Sequence, residues 1–202
     1  MVDDGVIKFN DHLSDGEPPE DIFIQELNTW RTSLYNIGLL GSYENGVGYG
    51  NISRRFKNNS FIISGSATGN KPLLTSHDYV QVSDIDINTN TTMSIGKISP
   101  SSESMTHGII YQTLPETKCI MHIHNRNFWD KFKNVLPTSA EHIAYGTPEM
   151  ALEVKRLILS VSAHKTQILI MGGHPEGIIA YGNSIEEVGD RLLEFISPAL
   201  DQ

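Results

Sequence analysis

The sequence predicts a single α/β domain in which a mixed or antiparallel sheet is flanked by helices. Stretches with apolar residues three or four apart mingle with short runs of period two, so both helices and strands are specified. The regular strand–helix–strand alternation of a doubly wound sheet is missing, and no Gly-x-Gly-x-x-Gly follows a strand. The 202 residues, 39% hydrophobic and 19% charged, suit one soluble domain with a sizeable core and no internal linker.

Residues 1–20 carry Asp3, Asp4, Asp11, Asp15, Glu17 and the Pro18-Pro19 pair, and read as an acidic, loosely held arm before a domain over 21–202. From Asp21 the spacing of Phe23, Leu27, Trp30, Leu34 and Ile37 predicts a helix that Gly38 ends. Gly41 to Gly50 is a glycine-rich loop without the Lys-Ser/Thr of a nucleotide phosphate loop. A hairpin follows, from Ile52 to Phe56 and from Phe61 to Ser64, turning at Asn58-Asn59. Ser64 to Gly69 is a second loop of hydroxyls and glycines. Ordinary turns explain either loop singly, whereas the pair suggests an anion cradle.

Two alternating runs, Tyr79 to Ile85 and Met93 to Ile98, predict strands, and Ser101 or Ser102 then caps a helix reaching Leu114. On that helix Ile109, Ile110 and Leu114 form the buried stripe. Glu103, His107 and Tyr111 share another stripe, which is either solvated or turned to a site. Cys119 to His124 is an apolar strand, Asn127 to Lys133 a brief helix, and Ile143 to Tyr145 a short strand. Thr147-Pro148 opens a helix expected to reach Ala163. Strands over Gln167 to Met171 and Ile178 to Tyr181 follow, then a helix behind Ser184.

The net charge of −9 argues against a general nucleic-acid binder, though not against a local pocket for a small anion. No twenty-residue apolar run, basic leader or lipidation signal is found, so no membrane partner and a cytoplasmic location are expected. The single Cys119, inside an apolar strand, reads as a packed thiol.

The chemistry gathers around His122-Ile123-His124. Alternation on a strand sends both imidazoles from one face, a geometry that suits zinc and neighbouring first-row ions. His174 sits in a glycine turn just past a second apolar strand and becomes a third nitrogen ligand if the two strands end on one side. Glu103 starts the helix that leads into the His-x-His strand. Three imidazoles and a carboxylate complete a tetrahedral shell, and withdrawal of the carboxylate opens a catalytic position. His107, one turn beyond Glu103, falls where it would support this group from behind. His12, His77, His142 and His164 lie in polar or helix-end contexts and are expected at the surface.

The order Gly50-Asn51-Ile52-Ser53, Ser101-Ser102-Glu103 with His107, His122-Ile123-His124, Gly146-Thr147 and His174 resembles the class II aldolase/adducin superfamily, near its fuculose-1-phosphate aldolase branch. The resemblance spans roughly residues 22–197. It implies a three-layer α/β/α fold around a mixed, largely antiparallel sheet, and a fourfold homotetramer with sites between subunits. It also implies that His122, His124 and His174 bind zinc, with Mn2+, Co2+ or Fe2+ as alternatives. Glu103 would cap the empty metal and then act as base. Asn51, Ser101, Ser102 and Ser66 would hold the substrate phosphate, with Thr68-Gly69 as an alternative match in the second loop. The implied reaction cleaves or forms a carbon–carbon bond in a small phosphorylated sugar through an enediolate. Epimerase, dehydratase and decarboxylase chemistry, or an inactive adducin-like binding module, are the alternatives. The epimerase branch commonly has Asp where this chain has Glu103.

Three features depart from the aldolase pattern. Pro175 follows the third histidine where glycine is usual, and no tyrosine-bearing tail follows the last helix. The stretch from Asn125 to Tyr145 is short, and no tyrosine before Tyr145 matches the proton donor that aldolases present to a neighbouring subunit.

Overall fold

A computed structural model describes residues 5–200. In chain order the strands are β1 (Asn10–Asp15), β2 (Gly41–Ser42), β3 (Gly48–Tyr49), β4 (Asn51–Arg55), β5 (Phe61–Ser64), β6 (Tyr79–Asp86), β7 (Thr91–Gly96), β8 (Cys119–His124), β9 (Ile168–Ile170) and β10 (Gly177–Gly182). The helices are α1 (Asp21–Asn36), α2 (Ser104–Thr113), α3 (Arg126–Phe132), α4 (Pro148–Ile158), α5 (Val161–Thr166) and α6 (Ile185–Leu200).

Among the described residues an eight-stranded sheet runs in the order β1-β7-β6-β5-β4-β8-β10-β9, while β2 and β3 form a separate hairpin. Every neighbouring pair in the large sheet is antiparallel except β1 with β7. The expectation of a mixed, largely antiparallel sheet is met.

Alternation along β8 divides the core in two. Cys119, Met121 and Ile123 pack with Leu27 and Leu34 of α1 and with Val188, Leu192 and Ile196 of α6. Ile120 faces the opposite way, among Met105, Ile109 and Ile110 of α2 and Met150, Val154 and Leu157 of α4. Helices therefore cover both faces of the sheet, giving three layers. By the period of two, His122 and His124 leave β8 on the α2 side, with Ile120.

Several local expectations change. Within the segment expected as a loosely held arm, Asn10–Asp15 is an edge strand pairing along all of β7. Asp11 Oδ1 accepts hydrogen bonds there from Thr92 Oγ1 at 2.9 Å and Ser94 Oγ at 2.6 Å. Neither Ser101 nor Ser102 caps α2. Glu103 is the residue before its first turn, and Ser101 instead closes the preceding turn, its carbonyl accepting from Ser104 Oγ at 2.7 Å.

No strand forms over Ile143 to Tyr145, because this backbone lies against the Gly172-Gly173 turn rather than a sheet edge. A Cβ on Gly173 would stand 1.8 Å from the Ile143 carbonyl oxygen, so only glycine admits that approach. The helix from Pro148 ends at Ile158, and Ser160 caps a separate α5, its Oγ accepting from Ala163 N at 3.3 Å.

Candidate active site

Strand direction brings the singled-out residues to one end of the sheet. Asn51 at the start of β4 pairs with His122, and Gly177 at the start of β10 pairs with His124. Both neighbours of β8 therefore begin where β8 ends. The glycine-rich loop over 41–50 and the turn carrying His174 are delivered beside the two strand histidines. Gly50 makes the first junction possible. It has φ of +75°, and a Cβ on it would stand 2.5 Å from Leu40 Cβ and 3.0 Å from the His122 carbonyl oxygen.

His122, His124 and His174 are all buried, and one ring nitrogen from each lies within 4.8 Å of the others. His122 Nδ1 donates to the Ile178 carbonyl at 3.1 Å, which leaves the Nε2 lone pair of a neutral ring available. That Nε2 stands 3.2 Å from His124 Nε2. Two lone pairs cannot face each other at this separation without a proton or a cation between them. Two nitrogens bound to zinc at a tetrahedral angle lie about 3.3 Å apart. The donor set and its spacing thus fit a divalent ion. Burial, and then its histidine neighbours, hold the His122 pKa well below the ordinary imidazole value, the neutral form that a ligand needs.

Glu103 is 2% exposed, and its Oε1 lies 3.7 Å from His174 Nδ1. The stripe left open between solvent and site is turned inward, since His107 and Tyr111 are buried too. His107 Nδ1 bonds Ser53 Oγ at 2.7 Å, and Ser53 Oγ in turn meets Tyr111 Oη at 2.8 Å. Complete burial pushes the His107 pKa down to about 3, so the ring is neutral. His107 therefore braces the interior behind His122 and does not line the cavity. The four other histidines are exposed, as expected. Cys119 is a packed thiol whose ionisation burial pushes up.

Above the histidines lies a cavity of about 230 Å³, walled by both singled-out loops and by Ser101, Ser102, Glu103 and Tyr145. This is smaller than the ~300 Å³ at which drug-sized pockets begin, so it suits a ligand of few atoms. Asn51 and Ser66 both line it. Asn51 Oδ1 is buried without a hydrogen-bond partner among the described residues, as expected of a group that waits for a ligand. Thr68 also lines the cavity, but its Oγ1 turns back to the Gly65 carbonyl at 2.8 Å.

Three tyrosines enter the site that sequence reasoning had not placed there. Tyr43 Oη bonds His124 Nδ1 at 2.9 Å and donates to Glu176 Oε2 at 3.4 Å. Tyr49 stacks on the same ring, centroids 5.3 Å apart and planes 28° apart. Tyr145 stacks on His174, with centroids 4.5 Å and planes 26° apart. Its Oη accepts from Val6 N at 3.3 Å, and Lys8 Nζ lies 3.7 Å from its ring centroid. The position of Tyr43 and Tyr49 inside the glycine-rich loop was the available signal. For Tyr145 there was none, because its partners are remote in sequence.

The fold has relatives among solved structures. An L-fuculose 1-phosphate aldolase structure superposes with a TM-score of 0.67 at 21% identity, over 91% of this chain and 85% of that one. A sugar-phosphate aldolase from Thermotoga maritima gives 0.65 at 19% identity, over 89% and 92%. At these identities the likeness is one of fold. In sequence, a methylthioribulose-1-phosphate dehydratase from Leptospira biflexa serovar Patoc is 27% identical over 125 residues, covering 47% of this chain. The match spans 58% of the dehydratase's own length. Among the described residues no helix is long and apolar enough to cross a membrane. The family model described as class II aldolase and adducin N-terminal domain matches residues 43–197, and the chain belongs to that family.

Proposed function

We propose that this chain is a metal-dependent lyase of small phosphorylated sugars, an aldolase that makes or breaks a carbon–carbon bond through an enediolate. The observation that carries the reading is the Glu103 carboxylate, buried 3.7 Å from His174 and beside His122 and His124 at the cavity floor. His122, His124 and His174 would hold the ion, zinc by preference for three imidazoles, with manganese, cobalt or iron accommodated by supply. When bound, a divalent ion stabilises the negative charge that a hydroxy-ketone's oxygens gain as the adjacent carbon is deprotonated.

Glu103 is the base in this reading. Its carboxylate takes the proton from the carbon next to the carbonyl and returns one in the reverse direction. The buried floor keeps water from the carbanionic species. Asn51, Ser66, Ser101 and Ser102 bind the phosphate and fix which carbon faces Glu103, a contribution of orientation rather than bond chemistry. His107, through Ser53, holds the interior behind His122. Tyr145, on the cavity wall, is the candidate proton donor within the chain's own site. The fourfold homotetramer implied by the resemblance and the cytoplasmic location expected from the sequence belong to the same reading; light scattering of the purified protein tests the assembly.

The dehydratase relative favours a second reading. The same first proton removal by Glu103 would be followed by loss of hydroxide from the next carbon, without carbon–carbon cleavage. Incubating the zinc-loaded protein in deuterated water with dihydroxyacetone phosphate, and separately with ketopentose 1-phosphates, tests both readings. Deuterium at the α-carbon and aldehyde release support the aldolase. A diketone product without aldehyde supports the dehydratase. Neither exchange nor product would overturn both.

A further inference from the structure

The cavity has one electrostatic peculiarity. A phosphorylated substrate would bring about two negative charges at neutral pH, yet among the described residues no Lys or Arg side chain lines the walls. A buried cation stands behind one wall. Arg31 of α1 is 2% exposed, and its guanidinium donates to three carbonyls of the second loop and the chain just after it. These are Pro72 O at 2.9 Å, Thr68 O at 3.2 Å and Gly69 O at 3.3 Å.

We infer that Arg31 positions and charges the Thr68–Gly69 wall so that it binds the substrate's phosphate. This rests on the proposed phosphorylated substrate. Three features of the geometry carry it. The peptide between Thr68 and Gly69 is planar and trans, so its N–H points away from the guanidinium that holds its carbonyl. Drawing electrons to that carbonyl makes the N–H a better donor on the opposite side, and Thr68 and Gly69 line the cavity.

The second feature is charge. Lys71 pairs with Asp78, and Asp78 is also bound by Thr75, so this carboxylate is taken. Arg31, Lys71 and Asp78 together leave a net positive charge under the wall. In a desolvated place such a charge acts on a nearby anion more strongly than it would in water.

The third feature is rigidity. Gly69 packs so tightly that a Cβ on it would stand 2.2 Å from the Gly41 carbonyl oxygen, in the loop that carries Tyr43. Arg31 pins the far side of this same contact. Displacing its side chain would free the wall where the two loops meet. Desolvation lowers the Arg31 pKa, but a guanidinium starts so high that it keeps its charge at neutral pH.

Inorganic phosphate titrated into the zinc-loaded protein tests the inference. Wild type is expected to bind it. Arg31→Met should weaken phosphate binding about tenfold or more, and Arg31→Lys, which keeps the charge but not the fork, by a smaller factor. Zinc affinity should stay unchanged in both. In α-proton exchange, both variants should raise KM for dihydroxyacetone phosphate with little change in kcat, and leave dihydroxyacetone unaffected. A purely structural role would disturb both substrates alike. If Arg31→Met does not fold, Arg31→Lys and Lys71→Met, whose side chain is half exposed, carry the test. Folded variants that bind phosphate as wild type does would overturn the role of Arg31. Wild type that binds zinc but no phosphate would instead overturn the phosphorylated-substrate reading and the inference with it.

Discussion

Tyr43 Oη lies 2.9 Å from His124 Nδ1, so a tyrosine of the glycine-rich loop holds the ring nitrogen opposite the one that faces His122. The loop thereby orients a candidate metal ligand. Tyr49 lies across the same ring and limits its rotation.

Tyr43→Phe should consequently weaken metal binding while leaving the fold intact. Loss of such an outer partner typically costs 10–100-fold in metal affinity. Chelator competition with zinc checks this, with the cobalt-loaded protein's visible spectrum reporting any change at the ligands. Unchanged affinity would mean that the hydroxyl contact does not orient His124.

Gly50→Ala should be strongly destabilising. Residue 50 holds φ at +75°, and the new Cβ would meet Leu40 Cβ at 2.5 Å and the His122 carbonyl at 3.0 Å, neither of which can swing away. Backbone strain and overpacking together suggest about 2–4 kcal/mol. Urea unfolding of the apo protein measures it. A loss below 1 kcal/mol would show that the β4–β8 junction relaxes more easily than its packing suggests.

Acid should unfold the apo protein through its buried histidines. Burial lowers the His107 pKa to about 3, whereas in the unfolded chain it returns to about 6.5. Above the unfolded value both states are neutral and the contribution to stability is complete. As pH falls from about 6.5 toward 3, only the unfolded state takes up the proton. Stability then drops by somewhat over 1 kcal/mol per pH unit for this group. His122, lowered in the same direction, adds to the slope. Urea midpoints between pH 7 and pH 4 should fall, and less so in His107→Gln. A flat profile would contradict the neutral, buried state of these rings.

Much of this architecture is written in local patterns. The Thr147-Pro148 start of α4 and the buried Leu27 and Leu34 of α1 are set by neighbours within a turn or two and appear as expected, whereas Ile37, expected on the same stripe, lies past the end of α1 and is exposed. His122 and His124 follow from strand alternation alone. His174 needed the pairing of β10 with β8, which sequence supplies only as a condition. The failures have one physical origin. Ile143 to Tyr145 has the composition of a strand, but close contact of Ile143 with Gly173 decides its course. Tyr145 reaches His174, and β1 joins β7, through partners that no local window contains. Arg31 reads as one polar residue in an amphipathic helix, and only the folded chain shows it bound to a loop more than thirty residues away.

The central claim is that Glu103 is a base working beside a metal held by three histidines. Metal analysis together with α-proton exchange on dihydroxyacetone phosphate, in wild type and Glu103→Gln, tests it most directly. Wild type should carry about one divalent ion per chain and catalyse exchange. Glu103→Gln should keep the ion through His122, His124 and His174 but lose about 10²–10⁴-fold in exchange rate, the range of a general base. Wild-type protein that takes up no metal, or a Glu103→Gln variant that exchanges at the wild-type rate, would contradict the account.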